Sequence, residues 1–145
     1  MTKIYEAKNH LLIRTGYENP AEHCHMAAHM IISMKGSVKV QAGNETWQCH
    51  GVLIPSGVSH VIDTDGNPVL VFLYDSTTSV AMEIQNVRIL DKEDCEKITA
   101  LYAVFEKHET TENYQIFEEG VLKQLGINIR SECVTDERIL RRTVL

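Results

Sequence analysis

The sequence predicts an all-β barrel or sandwich followed by a C-terminal helical extension, and three features predict it. Short apolar runs punctuated by Gly, Pro, Asn and Asp recur from residue 10 to about residue 75. Beyond residue 90 the apolar spacing changes to a helical period. Four histidines, His23, His25, His29 and His60, fall where neighbouring strands would bring them together.

The elements follow in order. His10-Leu-Leu-Ile-Arg14 opens as a strand, and a second runs from Ala28 to Met34 until Gly36 breaks it. Ser37-Val-Lys-Val-Gln41 alternates polar and apolar side chains, as a half-buried strand does. Ala42-Gly-Asn44 is a turn, because Gly43 and Asn44 tolerate positive φ, and Glu45 to Cys49 returns as the second hairpin arm. Gly51-Val-Leu-Ile54 is a further short strand, ended by Pro55 and Gly57. Ser59 to Asp63 pairs onward into the Thr64-Asp-Gly-Asn-Pro68 turn, and Val69 to Tyr74 reads as a buried strand.

Asp91 can cap a helix, with Glu93 and Asp94 well placed in its first turn. Cys95, Ile98, Leu101, Tyr102 and Phe105 then recur at helical spacing, predicting a helix over 92–108. A second amphipathic stretch over 112–125 carries Ile116, Phe117, Val121, Leu122 and Leu125 and stops at Gly126. A third begins near Asp136. The expected organisation is a barrel over 1–90, a helical extension over 91–134, and the start of a helix or a linker over 135–145. The apolar stripes are read as core or dimer packing, and a homodimer is expected from them.

The chain of 145 residues, 43% hydrophobic and 23% charged, has the composition of one globular domain. Its net charge of −6 repels a phosphate backbone, so no nucleic-acid binding is expected of this chain alone. The basic group Arg138, Arg141 and Arg142 is offset by Asp136 and Glu137. No apolar run reaches a membrane span, and Met1 to Glu6 has no export leader, so no membrane association and a cytoplasmic location are expected. Cys24, Cys49, Cys95 and Cys133 form no CxxC pair and are expected to be reduced, mostly buried thiols.

The histidines carry the chemistry. Residues 23, 25 and 29 share one parity, so an extended backbone would project all three rings to one side. His60 needs only a neighbouring strand to join them, whereas Cys24 points the other way. Imidazole is the commonest protein ligand for borderline transition metals. The alternatives are polar walls of an organic-ligand pocket, or core histidines bonded to one another. Four clustered neutral imidazoles without a ligand would leave buried polar atoms unsatisfied. Ile31 and Ser33 share the parity of the three histidines; with Trp47 and Phe72 they are the candidate ligand-binding walls. His10 and His50 have no such geometry, and His108 suits the negative end of a helix dipole.

These motifs resemble those of the cupin family. His23-Cys-His25, His29 and Gly36 match its first motif, with His29 at the usual acidic position; Pro55, Gly57 and His60 match its second. The leading Gly-Asp of that second motif is replaced by Cys49-His50, and its closing Asn by Thr64. The resemblance implies a double-stranded β-helix (jelly-roll) barrel with a metal held by His23, His25, His29 and His60. An all-nitrogen set favours Zn, Fe, Ni or Cu over Mg or Ca.

A narrower resemblance joins His23 to Gly36, Gly51 to His60 and Asn67 to Asp75. It is to the N-terminal sensory half of AraC-type transcriptional regulators. In that family helices after the barrel mediate dimerisation, and Asp136-Glu-Arg138-Ile139 stands where the DNA-binding half begins. The function so implied is sensing of a small-molecule effector or a metal, with DNA bound only through a C-terminal half not contained in these residues. The alternative is a metal-dependent cupin enzyme, a dioxygenase or isomerase, using the ion as a Lewis acid or to activate oxygen. No general base is evident near the motifs: Glu22 has the wrong parity, and the hairpin bearing Glu45 has no assigned orientation. The catalytic residues of such an enzyme are unknown.

Overall fold

The computed structural model describes residues 2–16, 26–129 and 140–144. The strands are β1 (Thr2–Glu6), β2 (His10–Thr15), β3 (Ala27–Ser33), β4 (Val38–Ala42), β5 (Glu45–Cys49), β6 (Gly51–Ile54), β7 (His60–Asp63), β8 (Val69–Asp75), β9 (Arg88–Leu90) and β10 (Leu140–Val144). Three helices, α1 (Ser79–Glu83), α2 (Lys92–Lys107) and α3 (Thr111–Gln124), complete the described elements. The larger sheet has the order β10-β1-β2-β8-β3-β6-β9, the smaller β5-β4-β7, and every pair is antiparallel. This is the jelly-roll barrel with a C-terminal helical extension that the sequence predicts.

Alternation along β3 and β8 divides the interior in two. Val69 and Val71 on β8 join Ile31, Val38, Val40, Val52, Ile54 and Ile62 inside the barrel, with Leu73 packed against them. Leu70, Phe72 and Tyr74 point to the other side and join Met30, Ile32, Ile98, Tyr102, Phe105, Phe117 and Val121 beneath the helices. The continuous apolar run of β8 is thus a strand buried on both faces. Each fully buried large apolar side chain contributes roughly 1.5–3 kcal/mol.

Turns and caps take their expected forms. Asp65 (φ 51°) and Gly66 (φ 76°) are both left-handed, and the Asn67 amide donates to the Thr64 carbonyl at 2.9 Å, so Thr64–Asn67 is a type I′ turn. The Asp91 carboxylate accepts from the Asp94 amide to cap α2. Helix α3 ends at Leu125, followed by Gly126 at φ 69°. Cys49 and Cys95 are buried free thiols, and burial, with the charges of Asp94, Cys49 and Asp91, pushes the Cys95 pKa up to about 12.

One expectation is corrected. Over 135–145 the sequence suggested the start of a helix or a linker, but residues 140–144 form β10, paired along β1 from Thr2↔Val144 to Glu6↔Leu140. The exposed edge of β1 offers unpaired backbone groups, and satisfying them outweighs a short helical pattern. The Asp136 to Ile139 element lies outside the described residues. Strands β1 and β9 and helix α1 were not anticipated; each is five residues or fewer, too short for a periodic signal.

Candidate functional site

The two described histidines of the predicted set meet inside the barrel from opposite sheets. His29 is on β3 in the larger sheet, and His60 opens β7, paired with Ala42 in the smaller one. Their ring centroids are 4.2 Å apart with planes at 74°. Both residues are buried. His23 and His25 lie outside the described residues.

Each ring is held by a carbonyl two residues behind it. His29 Nδ1 lies 3.1 Å from the Ala27 carbonyl, and His60 Nδ1 lies 3.0 Å from the Val58 carbonyl. A carbonyl only accepts, so Nδ1 carries the proton in both rings, and Nε2 of a neutral ring is then an acceptor. This is the tautomer and support that metal-ligating histidines require. His60 Nε2 is buried and has no hydrogen-bond partner among the described residues, and neither has the Thr64 hydroxyl. Leaving such a group unsatisfied costs about 1–3 kcal/mol. A cavity of about 10 Å³ lined by His29, Ile31, His60, Ile62, Thr64, Val69 and Val71 lies beside them. That is room for roughly one water or one ion. The donor chemistry, the fixed tautomers and the unpaired nitrogen fit a transition metal; among the described residues alone, no group of three or more ligating side chains is present.

The other candidate walls are distributed unequally. Ile31 lines this cavity. Ser33 is buried at the end of β3, where its hydroxyl donates to the Lys35 carbonyl at 3.0 Å. Trp47, half-buried on β5 opposite Val40, packs against the barrel core. Phe72, an expected pocket wall, lies instead in the sheet–helix core by its parity, stacked with Phe117 at 5.9 Å. His50 donates from Nδ1 to the Gly36 carbonyl and lines a separate cleft with Ser33 and Cys95. His108 is the C-cap of α2.

Two features were not read from the sequence. Thr64 joins the site because it is the first residue of the type I′ turn; its place at the closing position of the second motif was the available signal. A cleft of about 620 Å³ lies at one end of the sheet, lined by Lys8, Asn9, Leu11, Met26, Leu73, Asp75 and neighbours. Its size is that of an organic-ligand site. Leu73, on its wall, is the register partner of His29.

No protein-family model matches the chain, and no curated protein matches it in sequence. Among solved structures it is similar to the conserved SPY1581 protein of Streptococcus pyogenes, of unknown function, at 13% identity and TM-score 0.40 over 50% of this chain and 74% of that one. It is also similar to a glyoxylate-induced protein of Pseudomonas aeruginosa, at 8% identity and TM-score 0.46 over 63% of this chain and 42% of that one. The fold assignment rests on the strand order and pairing described above.

Proposed function

We propose that this chain is the sensory barrel of an AraC-type transcription regulator, holding a transition metal ion (Zn, Fe, Ni or Cu) through His23, His25, His29 and His60. The observation that carries the reading is His60 Nε2, a buried nitrogen with no described partner, on a ring whose tautomer is fixed to offer a lone pair. His29, on the facing sheet, has its Nδ1 held by a carbonyl as His60 does. When bound, the ion would supply a fixed positive charge and a Lewis-acidic position next to a small-molecule effector in the neighbouring cleft.

The sensor is favoured over the enzyme by what surrounds the imidazoles. Besides Thr64, the described lining is Ile31, Ile62, Val69 and Val71, which provides no acid or base for proton transfer. The helical hairpin supports the reading from the other side. It shares one apolar core with the sheet that bears His29, while Val104 (68% exposed) and Ile116 (60% exposed) leave apolar side chains on its outer surface. We assign that surface to a second copy of the chain, so that effector occupancy is read as a change in how two hairpins pair. Such a change requires different effector affinities in the two arrangements. DNA would be engaged only by a C-terminal half beyond these residues.

Elemental analysis of protein purified without a metal-affinity column tests the site. About one equivalent of transition metal is expected in the parent and none in a His29→Ala, His60→Ala double variant. A parent that takes up no Zn, Fe, Ni or Cu when each is added, although folded, overturns the metal reading.

A further inference from the structure

The cleft is joined to the helical hairpin by a chain of hydrogen bonds through a single buried ring. Asn9, in the turn between β1 and β2, lines the cleft. Its Oδ1 lies 2.7 Å from His10 Nδ1. On the far side of the ring, His10 Nε2 lies 2.7 Å from the Tyr114 hydroxyl on α3 and 3.5 Å from Glu118 Oε2 on the same helix. The ring stacks on Tyr74 of β8 at 4.4 Å and 15°, and on Tyr114 at 5.6 Å and 26°. Tyr74 in turn donates to Glu118 at 2.5 Å. His10 also lines the cleft, but its side chain is fully enclosed; Asn9 bonds its Nδ1, and Tyr74, Tyr114 and Glu118 meet the ring from the core side.

We propose that Asn9, His10 and Tyr114 form a directional relay that reports occupancy of the cleft to helix α3. This inference rests on the sensor reading and names the wire within it. A neutral imidazole has one donor and one acceptor nitrogen, so the partner of Nδ1 dictates what Nε2 can do. With Oδ1 of Asn9 accepting, Nδ1 carries the proton and Nε2 accepts from Tyr114. If the amide of Asn9 turns and donates its NH2, the proton resides on Nε2, which then donates toward Tyr114 or Glu118. One amide rotation at the cleft therefore reverses the polarity of every bond up to α3. No net charge is created, so the buried site tolerates both states.

The relay also specifies what the cleft recognises. While Oδ1 is committed to His10, Asn9 has its NH2 to offer to a ligand, and Lys8 adds an ammonium to the same wall. An acceptor oxygen of a carbonyl or carboxylate would be held in this state. A donor such as a hydroxyl or ammonium would compete for Oδ1 and turn the amide. Acceptor ligands therefore hold one polarity of the relay and donor ligands the other.

The test uses the whole chain and two readouts: nitrogen NMR of the His10 ring, which distinguishes the tautomers, and amide hydrogen exchange across Thr111–Gln124. The parent is expected to show the Nδ1–H form. Asn9→Ala is expected to lose that preference and to exchange roughly three- to tenfold faster along α3, the effect of one buried hydrogen bond. Asn9→Asp, whose side chain only accepts, is expected to restore both. Titrated acetate is expected to slow α3 exchange in the parent and not in Asn9→Ala. The relay is overturned if Asn9→Ala leaves tautomer and α3 exchange unchanged, or if it changes exchange and Asn9→Asp does not restore it. Tyr114→Phe provides the same comparison from the helix end: the Nδ1–H preference should weaken, and an unaltered tautomer also overturns the proposal. Metal content, measured on the same samples, fails separately if the sensor reading fails.

Discussion

Gly51 and Cys95 meet so closely that a Cβ on the glycine would lie 2.6 Å from the Cys95 sulfur. The same Cβ would lie 2.9 Å from the Ile31 carbonyl. Here β6, paired beside the strand that carries His29, meets Cys95 of helix α2, and only hydrogen fits. Gly51→Ala is therefore expected to destabilise the protein by about 1–3 kcal/mol, the usual cost of overpacking. Denaturant unfolding measures it. Pairing the change with Cys95→Ala should recover part of the loss, the Ile31 carbonyl still being crowded.

Thr64 is fully buried, and its hydroxyl has no partner among the described residues. Replacing an unsatisfied buried hydroxyl with a methyl of the same shape is neutral or stabilising. Thr64→Val is expected to raise the stability of the metal-free protein by about 1 kcal/mol. A fall in thermal midpoint on substitution would mean that the hydroxyl bonds a ligand or a residue outside the described set.

His10 makes stability depend on acid. Burial lowers its pKa from 6.5 to about 3, so the unfolded chain takes up a proton before the folded one does. The stabilisation is present in full above 6.5 and is lost as pH falls from there toward 3. Unfolding free energy measured across this window should drop in the parent. It should fall less in His10→Gln, which starts lower at neutral pH.

Tyr5 and Tyr102 impose the opposite limit. Burial, followed for Tyr5 by hydrogen bonds to Glu109 and Tyr102, raises the Tyr5 phenol above its ordinary value of 10.0. Burial also raises Tyr102. Both stay protonated in the fold when the unfolded chain ionises, so their contribution is lost as pH rises beyond 10.0. Ultraviolet titration is expected to show Tyr5 and Tyr102 ionising only as the protein unfolds. Five phenols titrating together near pH 10.0 in folded protein would contradict the burial.

The proposed dimer is tested at Val104 and Ile116. Charged replacements, Val104→Glu and Ile116→Glu, should convert it to a monomer in light scattering while leaving the circular dichroism spectrum unchanged. A monomeric parent at high concentration would remove the assignment.

Much of the molecule was legible in the sequence because its signals are local. Alternation predicted β4, the Gly43-Asn44 turn predicted β5 as its returning arm, Thr64 to Pro68 predicted a turn, Asp91 the start of α2, and Gly126 the end of α3. The shared parity of His29 and Ile31 follows from strand geometry alone. What tertiary structure decided is non-local. A strand buried on both faces has no polar side to orient it, so the sequence could not tell that Phe72 faces the helices and Val71 the barrel. The partner of an edge cannot be read from the edge itself, and β1 captured Leu140–Val144 across the whole chain. His10 carried no motif at all. It acquires its place only because β2, β8 and α3, far apart in sequence, close around one ring and leave its two nitrogens facing Asn9 and Tyr114.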